Sequence, residues 1–104
     1  MSYSMNFVVE MSGQALFESL SPTYNLAPMF ERALGFPIGD LEGKTPAECL
    51  PHLQRAYIFL ITNEEECRSL EPANKWGTYG GAVEAMRTLL RWAETLTRRI
   101  VLRL

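Results

Sequence analysis

Residues 78–104 read TYGGAVEAMRTLLRWAETLTRRIVLRL, and the spacing of their apolar side chains changes along the way. Up to Thr97 the apolar residues recur every three or four positions, which predicts an amphipathic helix over roughly Thr78–Thr97. From Arg99 to Leu104 they alternate, which predicts a strand. This stretch therefore predicts that helices and strands share one domain.

The N-terminal segment offers partners for that strand. Apolar and polar side chains alternate over residues 5–11, and after a tight turn at residues 12–14 the chain resumes in β fashion over residues 15–21. There Leu16, Glu18 and Leu20 share one face, and Ala15, Phe17 and Ser19 share the other. The pattern predicts a β-hairpin whose first strand is half-buried. The face that it buries is formed by Met5, Phe7, Val9 and Met11. We expect the last strand to join this hairpin in an antiparallel or mixed sheet.

Three to four helices are predicted in all, and most of their ends carry clear signals. Asn25 is a good N-cap for the first helix, which Gly35 ends in a left-handed conformation. The capping box T-P-A-E at residues 45–48 begins the second helix. We interpret the apolar run at residues 57–61 as its continuation, although such a run is also typical of a buried strand. A second capping pair at residues 63–66 predicts a short third helix.

The order ββαααβ predicts a single α+β domain over residues 1–104, with helices packed on one face of a small sheet. The composition agrees, because 47% hydrophobic and 21% charged residues are usual for globular proteins. The net charge of −2 argues against nucleic-acid binding, which needs a dense cationic surface. The longest apolar run, Ala56–Ile61, is too short to span a membrane.

The cysteines and the N-terminus predict a cytoplasmic protein. The first residues lack the basic and apolar regions of a signal peptide, and two thiols suit a reducing compartment. Cys49 and His52 lie three positions apart on one side of the predicted second helix, a spacing that suits thiolate activation. No orienting group or oxyanion site accompanies them, so a thiol enzyme is the weakest functional alternative. No metal site and no cofactor are predicted.

The octet N-K-W-G-T-Y-G-G at residues 74–81 is the first candidate site. One interpretation is a small-molecule or nucleotide site, and its lining residues are Tyr24, Asn25, Trp76, Gly77 and Tyr79. The glycines match neither a Walker A loop nor a dinucleotide fingerprint, because no Lys-Ser/Thr pair follows and no strand precedes them. The other interpretation is structural: Trp76 plugs the core and the glycines let the helix start pack closely. We favour the structural interpretation.

Trp92 is the second candidate, as the centre of a contact surface for a protein partner. It lies at the flank of the apolar stripe of the last helix, with Arg87, Arg91 and Arg99 near it. Tryptophan and arginine are enriched among the residues that dominate binding energy at interfaces. The alternative is that Trp92 only covers the edge of the sheet, and the sequence does not separate these two roles.

Three blocks resemble a family of small proteins of uncharacterised function from phages, prophages and actinobacteria. They are T-Y-N-L-A-P-M-F-E-R-A-L-G at residues 23–35, D-L-E-G-K-T-P-A-E-C-L-P-H-L at residues 40–53, and N-K-W-G-T-Y-G-G-A-V at residues 74–83. Family members typically read N-G-W-G-x-Y-E-G in the third block, so Lys75 and Gly80 depart from the pattern. The resemblance implies a phage-like origin and an α+β fold, and it implies no reaction.

These features together predict a non-enzymatic binding protein. A small phage-type domain without a catalytic constellation most often works by occluding a host protein, so we expect a host protein or complex as partner. Inhibition of a host defence system, such as a CRISPR effector, is the concrete form of this hypothesis. The oligomeric state, monomer or homodimer, is left open by the sequence.

Overall fold

The structure, a computed structural model, describes residues 2–74, 77–96 and 100–104. Short 3-10 turns at Tyr24–Leu26 and Ile38–Leu41 accompany the main elements. Their bounds are β1 Asn6–Val9, α1 Ala27–Leu34, α2 Pro46–Thr62, α3 Glu64–Arg68, α4 Tyr79–Thr95 and β2 Ile100–Arg103. The predicted α+β class is confirmed. Within the described ranges, no helix combines the length and the hydropathy needed to cross a bilayer.

The two strands form an antiparallel sheet that joins the N-terminal and C-terminal ends of the chain. Asn6 is paired with Arg103 and Val9 with Ile100. The outer edge of β2 is covered as well, because the Gly43 N–H donates to the Leu102 carbonyl and the Leu102 N–H donates to the Lys44 carbonyl. The prediction that the last strand joins the N-terminal segment is confirmed, and at Leu102 the outer edge of β2 is already paired within the chain.

The second half of the predicted hairpin runs antiparallel to β1 but does not form a regular strand. It pairs at single positions, Met5 with Leu20 and Val8 with Ala15. Three positions separate Met5 from Val8, whereas five separate Ala15 from Leu20, so this segment contains two more residues than its partner. The extra residues form a bulge, which interrupts backbone pairing and redirects side chains.

The prediction of a half-buried first strand is wrong in its details. Met5 and Phe7 are fully buried as expected, but Asn6 and Val8 on the other face are buried too. Met11, assigned to the core face, is 86% exposed because β1 ends before it. Both faces of β1 are therefore buried, and on the second face the Asn6 side chain contacts the bulged segment.

Most helix ends follow their local signals. Thr45 and Glu48 form the predicted capping box, and Gly35 ends α1 with φ of 86°. Two predicted caps are wrong. The capping residue is Thr23 and not Asn25. A 3-10 turn precedes α1, and the Thr23 side chain accepts the Asn25 N–H at the start of that turn. Asn63 does not cap α3, since its side-chain amide donates back to the Phe59 carbonyl.

The core lies where α2 packs on α4, with α1 and the sheet around them. Leu53, Ala56 and Leu60 of α2 are fully buried, which confirms that residues 57–61 continue the helix. On α4 the buried stripe is Tyr79, Ala82, Ala85, Met86, Leu89 and Ala93. This packing fixes the direction of α4 and therefore places Trp92 at its margin.

Candidate functional site

A buried asparagine holds the bulge in place. Asn6 is 3% exposed, and its side-chain amide donates to the Phe17 carbonyl at 2.5 Å and to Ser19 Oγ at 3.2 Å. Its Oδ1 accepts the Phe17 N–H at 3.2 Å. The side chain thus supplies the hydrogen bonds that the interrupted pairing would otherwise leave unmade, and a buried polar group needs such partners. The position of Phe17 follows from this arrangement.

Phe17 stacks on Trp92. The two rings are parallel, with centroids 4.3 Å apart, and both side chains are half-buried. Parallel aromatic rings at this distance attract each other beyond the area that they bury. Next to Phe17, Leu16 is 37% exposed. The result is a stacked aromatic pair at the surface, with an exposed aliphatic residue next to Phe17 in the sequence.

The arginines predicted around Trp92 differ in their surroundings. Arg87 is bound to Glu84, one turn earlier on α4. Arg91 is exposed and makes no ion pair with any residue in the described ranges. No cation lies over the Trp92 ring among the described side chains, and Phe17 stacks on that ring. Arg99 lies outside the described residues.

We call Leu16, Phe17, Arg91 and Trp92 the Trp92 patch. The structure places Trp92 at the surface, and it adds Phe17 and Leu16, which the sequence analysis assigned to an ordinary strand. The one available signal was Asn6, a strongly polar residue next to two core residues in a strand. That signal does not reveal which segment the asparagine binds, because the contact spans 11 positions.

The described residues of the predicted small-molecule site differ in their surroundings. Tyr79 is buried and its hydroxyl donates to the Leu60 carbonyl at 2.7 Å, so it belongs to the core. Tyr24 is exposed and packs edge-on against Tyr3. Asn25 lies within the 3-10 turn. Trp76 falls outside the described residues.

Gly77 has the close-packing role that the structural interpretation assigned to it. Its φ is 117°, and an added Cβ would come within 2.7 Å of Thr23 Cγ2 and 3.0 Å of Leu26. Gly77 also lines a depression of about 320 Å³ together with Glu71, Pro72 and Thr78. Of the four described residues that are predicted to bind a ligand, only Gly77 lines either of these depressions.

The N-terminus of α4 already holds a carboxylate of the protein. Glu71 Oε2 accepts the Tyr79 N–H at 2.6 Å, and Thr78 Oγ1 accepts the Gly81 N–H at 3.0 Å. Helix N-termini attract anions through such free N–H groups. Because Glu71 and Thr78 bind two of these groups, a phosphate would have to displace the glutamate. This arrangement argues against a nucleotide phosphate at the glycine-rich start of the helix.

Cys49 and His52 do not form a nucleophile pair. Cys49 is fully buried, and its thiol lies 3.9 Å from the Lys44 carbonyl. Burial, and secondarily the charge of Glu48, raises the pKa of Cys49 to about 11, so the thiol stays protonated at neutral pH. The His52 ring packs edge-on against Phe36. Among the described residues, no group of three or more potential ligands is arranged to hold a metal ion.

A larger depression lies along α1, away from both predicted sites. It has a volume of about 520 Å³ and an open shape. Its lining residues are Ala27, Pro28, Glu31, Arg32, Gly35 and Leu70. Arg32, the cation among its described lining residues, is already paired with Glu66 and lies over the Phe59 ring. The depression therefore offers few polar groups for a ligand.

Comparison with known proteins adds no evidence on function to the geometry of the two candidate sites. No protein-family model matches the chain, and neither a curated protein nor a solved structure matches it. The resemblance to phage proteins remains a prediction from the three sequence blocks.

Proposed function

We propose that this protein is a non-catalytic binding protein that acts by occluding a host protein through the Trp92 patch. The observation that carries the proposal is the Phe17–Trp92 stack, a half-buried aromatic pair held at the surface by the Asn6 hydrogen bonds. Tryptophan at the centre of an interface often contributes most of the binding energy. A pair that is already ordered loses little conformational entropy on binding.

The polar part of the Trp92 patch also favours a protein partner. Arg91 is exposed and has no carboxylate partner among the described residues, so its guanidinium is available to bind one. Arginine beside an aromatic anchor is a common composition of interface centres. Leu16 adds exposed aliphatic surface that association would remove from water.

The resemblance to phage proteins suggests the concrete form of this activity. We propose an anti-defence inhibitor, such as a blocker of a CRISPR effector, acting in the host cytoplasm. A protein that blocks by occupying a surface needs no catalytic group, which agrees with the lack of an assembled one among the described residues of the two candidate sites.

Plating efficiency of a phage on a host with an active CRISPR system tests the proposal. Expression of the wild-type protein should raise the plating efficiency, while Arg91→Glu and Leu16→Asp should abolish the rise. Asp40→Arg is the matched control, because it reverses an exposed charge on the second 3-10 turn. No rise with any defence system tested would remove the inhibitor proposal. A rise that both patch variants retain would exclude the Trp92 patch as the binding surface.

A small-molecule site beside Gly77 is the weaker proposal. It rests on the depression of about 320 Å³ formed with Glu71, Pro72 and Thr78. Nucleotides and inorganic pyrophosphate would have to raise the melting temperature of the isolated protein. The absence of any shift at millimolar ligand would exclude this site.

A further inference from the structure

One face of α2 exposes two neighbouring isoleucines. Ile58 and Ile61 are 56% and 48% exposed and lie one turn apart. Single exposed aliphatic residues are common on protein surfaces. Here the two isoleucines sit side by side on a helix whose opposite face is fully buried, and both are β-branched side chains that pack well against another helix.

This face carries few charges. Eight residues of α2 are exposed, and all of α2 lies within the described ranges. They are Ala47, Glu48, Pro51, Gln54, Arg55, Ile58, Ile61 and Thr62. Glu48 is bound in the capping box, so Arg55 is the only other charge on this face. A helix face that only faces solvent usually carries more charge.

Charges of opposite sign precede and follow the two isoleucines along the chain and lack ionic partners. Arg55 contacts the Leu34 carbonyl and His52 Nδ1, and it meets no carboxylate among the described residues. Just beyond Ile61, α3 begins with three glutamates, of which Glu64 pairs with Arg68 and Glu66 with Arg32. The remaining one, Glu65, is exposed and has no ion pair in the described part of the chain.

We propose that two copies of this chain associate through the exposed face of α2, as an antiparallel helix pair about a two-fold axis. The axis passes between Ile58 and Ile61, so that Ile58 of one copy meets Ile61 of the partner subunit. Arg55 lies between four and five residues before the axis, which is about 7 Å along a helix. Glu65 lies in α3, between five and six residues beyond the axis, so the two-fold operation brings Glu65 of the partner subunit to the side on which Arg55 lies.

A second copy fits this face because the face is complementary to itself. In a two-fold interface each subunit presents the same patch, so an apolar centre with charges of opposite sign before and after it matches its own reversed copy. A parallel pair would instead bring the two Arg55 side chains together and the two Glu65 side chains together. The charge arrangement therefore selects the antiparallel orientation.

The size of the face sets the expected strength. Because the axis passes near the C-terminal end of α2, only residues 57–62 of the two helices lie opposite each other, which is about 9 Å of helix, so the pair buries much less than the roughly 1,600 Å² of a standard interface. We therefore expect a reversible dimer that dissociates in the micromolar range.

Sedimentation equilibrium of the purified full chain tests the proposal. Between about 5 and about 500 µM the weight-average mass should rise from the monomer value toward twice that value. Ile58→Glu and Ile61→Glu should each raise the dissociation constant about tenfold or more. Leu16→Asp, in the Trp92 patch, is the matched control and should dimerise as the wild type does. An unchanged melting temperature would show that the substituted chains still fold.

A charge exchange tests the antiparallel orientation. Arg55→Glu alone and Glu65→Arg alone should each weaken the dimer several-fold, and the double variant should restore it. A mass that stays monomeric at every concentration would overturn the proposal, as would a dimer that Ile58→Glu does not weaken. A double variant no tighter than the single ones would overturn the antiparallel pairing. Because the isolated protein is used, these outcomes are independent of the proposed host partner.

Discussion

At the scale of single residues, Asn6 connects the fold to the candidate site. Its amide group takes the place of a backbone pairing and holds Phe17 against Trp92, although it lies between two core residues of β1. A sequence pattern assigns such an asparagine to the solvent face, because alternation is the usual rule in a strand. The structure assigns it to the interior, where every hydrogen bond of its side chain is directed at the bulge.

Asn6→Ala should lower the free energy of unfolding by about 2–4 kcal/mol, because it leaves the Phe17 N–H and carbonyl without partners. Urea denaturation followed by circular dichroism measures the change. Asn25→Ala is the control, since it removes the same side chain from a partly exposed turn and should change stability by less than about 0.5 kcal/mol. Equal effects of the two substitutions would contradict the role assigned to Asn6.

Gly77 and Gly80 should respond to alanine in opposite directions. Gly77→Ala should cost more than about 2 kcal/mol, because φ is 117° and the new methyl group would collide with Thr23 and Leu26. Gly80 lies in the first turn of α4 with open space around it, so Gly80→Ala should stabilise by up to about 1 kcal/mol. Thermal denaturation of the two variants tests the docking of the α4 start on the first 3-10 turn. A tolerated Gly77→Ala would contradict it.

The thiol of Cys49 should make the protein less stable at alkaline pH. Burial raises its pKa from 9.0 to about 11, so between these values the unfolded chain releases a proton that the folded chain retains. The unfolding free energy should therefore fall as pH rises from about 9 to about 11. Burial also raises the pKa of Cys67 and Tyr79, which act in the same direction. Denaturation of the wild type and of Cys49→Ala at several pH values isolates the contribution of Cys49. The unfolding free energy of the variant should decline less steeply with pH, and identical slopes would exclude a contribution of Cys49.

At the scale of elements, local chemistry predicted what depends on neighbouring residues. The capping box at Thr45, the left-handed Gly35 and the start of α4 after Thr78 follow from contacts within a few positions, and all are confirmed. The predicted end of that helix, Thr97, lies outside the described residues, and α4 ends at Thr95. The bulge between Ala15 and Leu20 depends on which of their residues pair with β1. The alternation of side chains does not predict this pairing. The Glu71 cap of α4 lies eight residues away from its donor, beyond any N-cap pattern. Sequence reasoning fails at these places because distant segments determine them.

The start of α4 provides a prediction at this scale. Thr78→Ala should cost about 1 kcal/mol, and Glu71→Gln about 0.5–1 kcal/mol, because each weakens a hydrogen bond to the first turn. Glu94→Gln makes the same chemical change near the other end of the helix. There a negative charge opposes the helix dipole, so this variant should be neutral or slightly more stable. Urea denaturation distinguishes the two glutamates, and an equal loss from both would contradict the capping role of Glu71.

At the scale of the whole molecule, the surface divides into regions with different roles. The glycine-rich octet, in its described part, belongs to packing, because Tyr79 is buried and Gly77 lies against the first 3-10 turn. The Trp92 patch is the surface proposed for a host protein, and the exposed face of α2 is proposed for a second copy. The sequence pointed to Trp92 through its place beside the apolar stripe, but the Phe17 partner and the exposed isoleucines appear only when the elements are assembled.

Quantitative affinity capture from host lysate tests the central claim most directly, namely that the Trp92 patch binds a host protein. The wild-type protein and Asp40→Arg should retain the same host protein, while Leu16→Asp and Arg91→Glu, folded to the same melting temperature, should lose it. Retention should fall at least about tenfold in each patch variant, as expected when an interface anchor is disrupted. Equal retention by all four proteins, or no host protein retained by any, would contradict the claim.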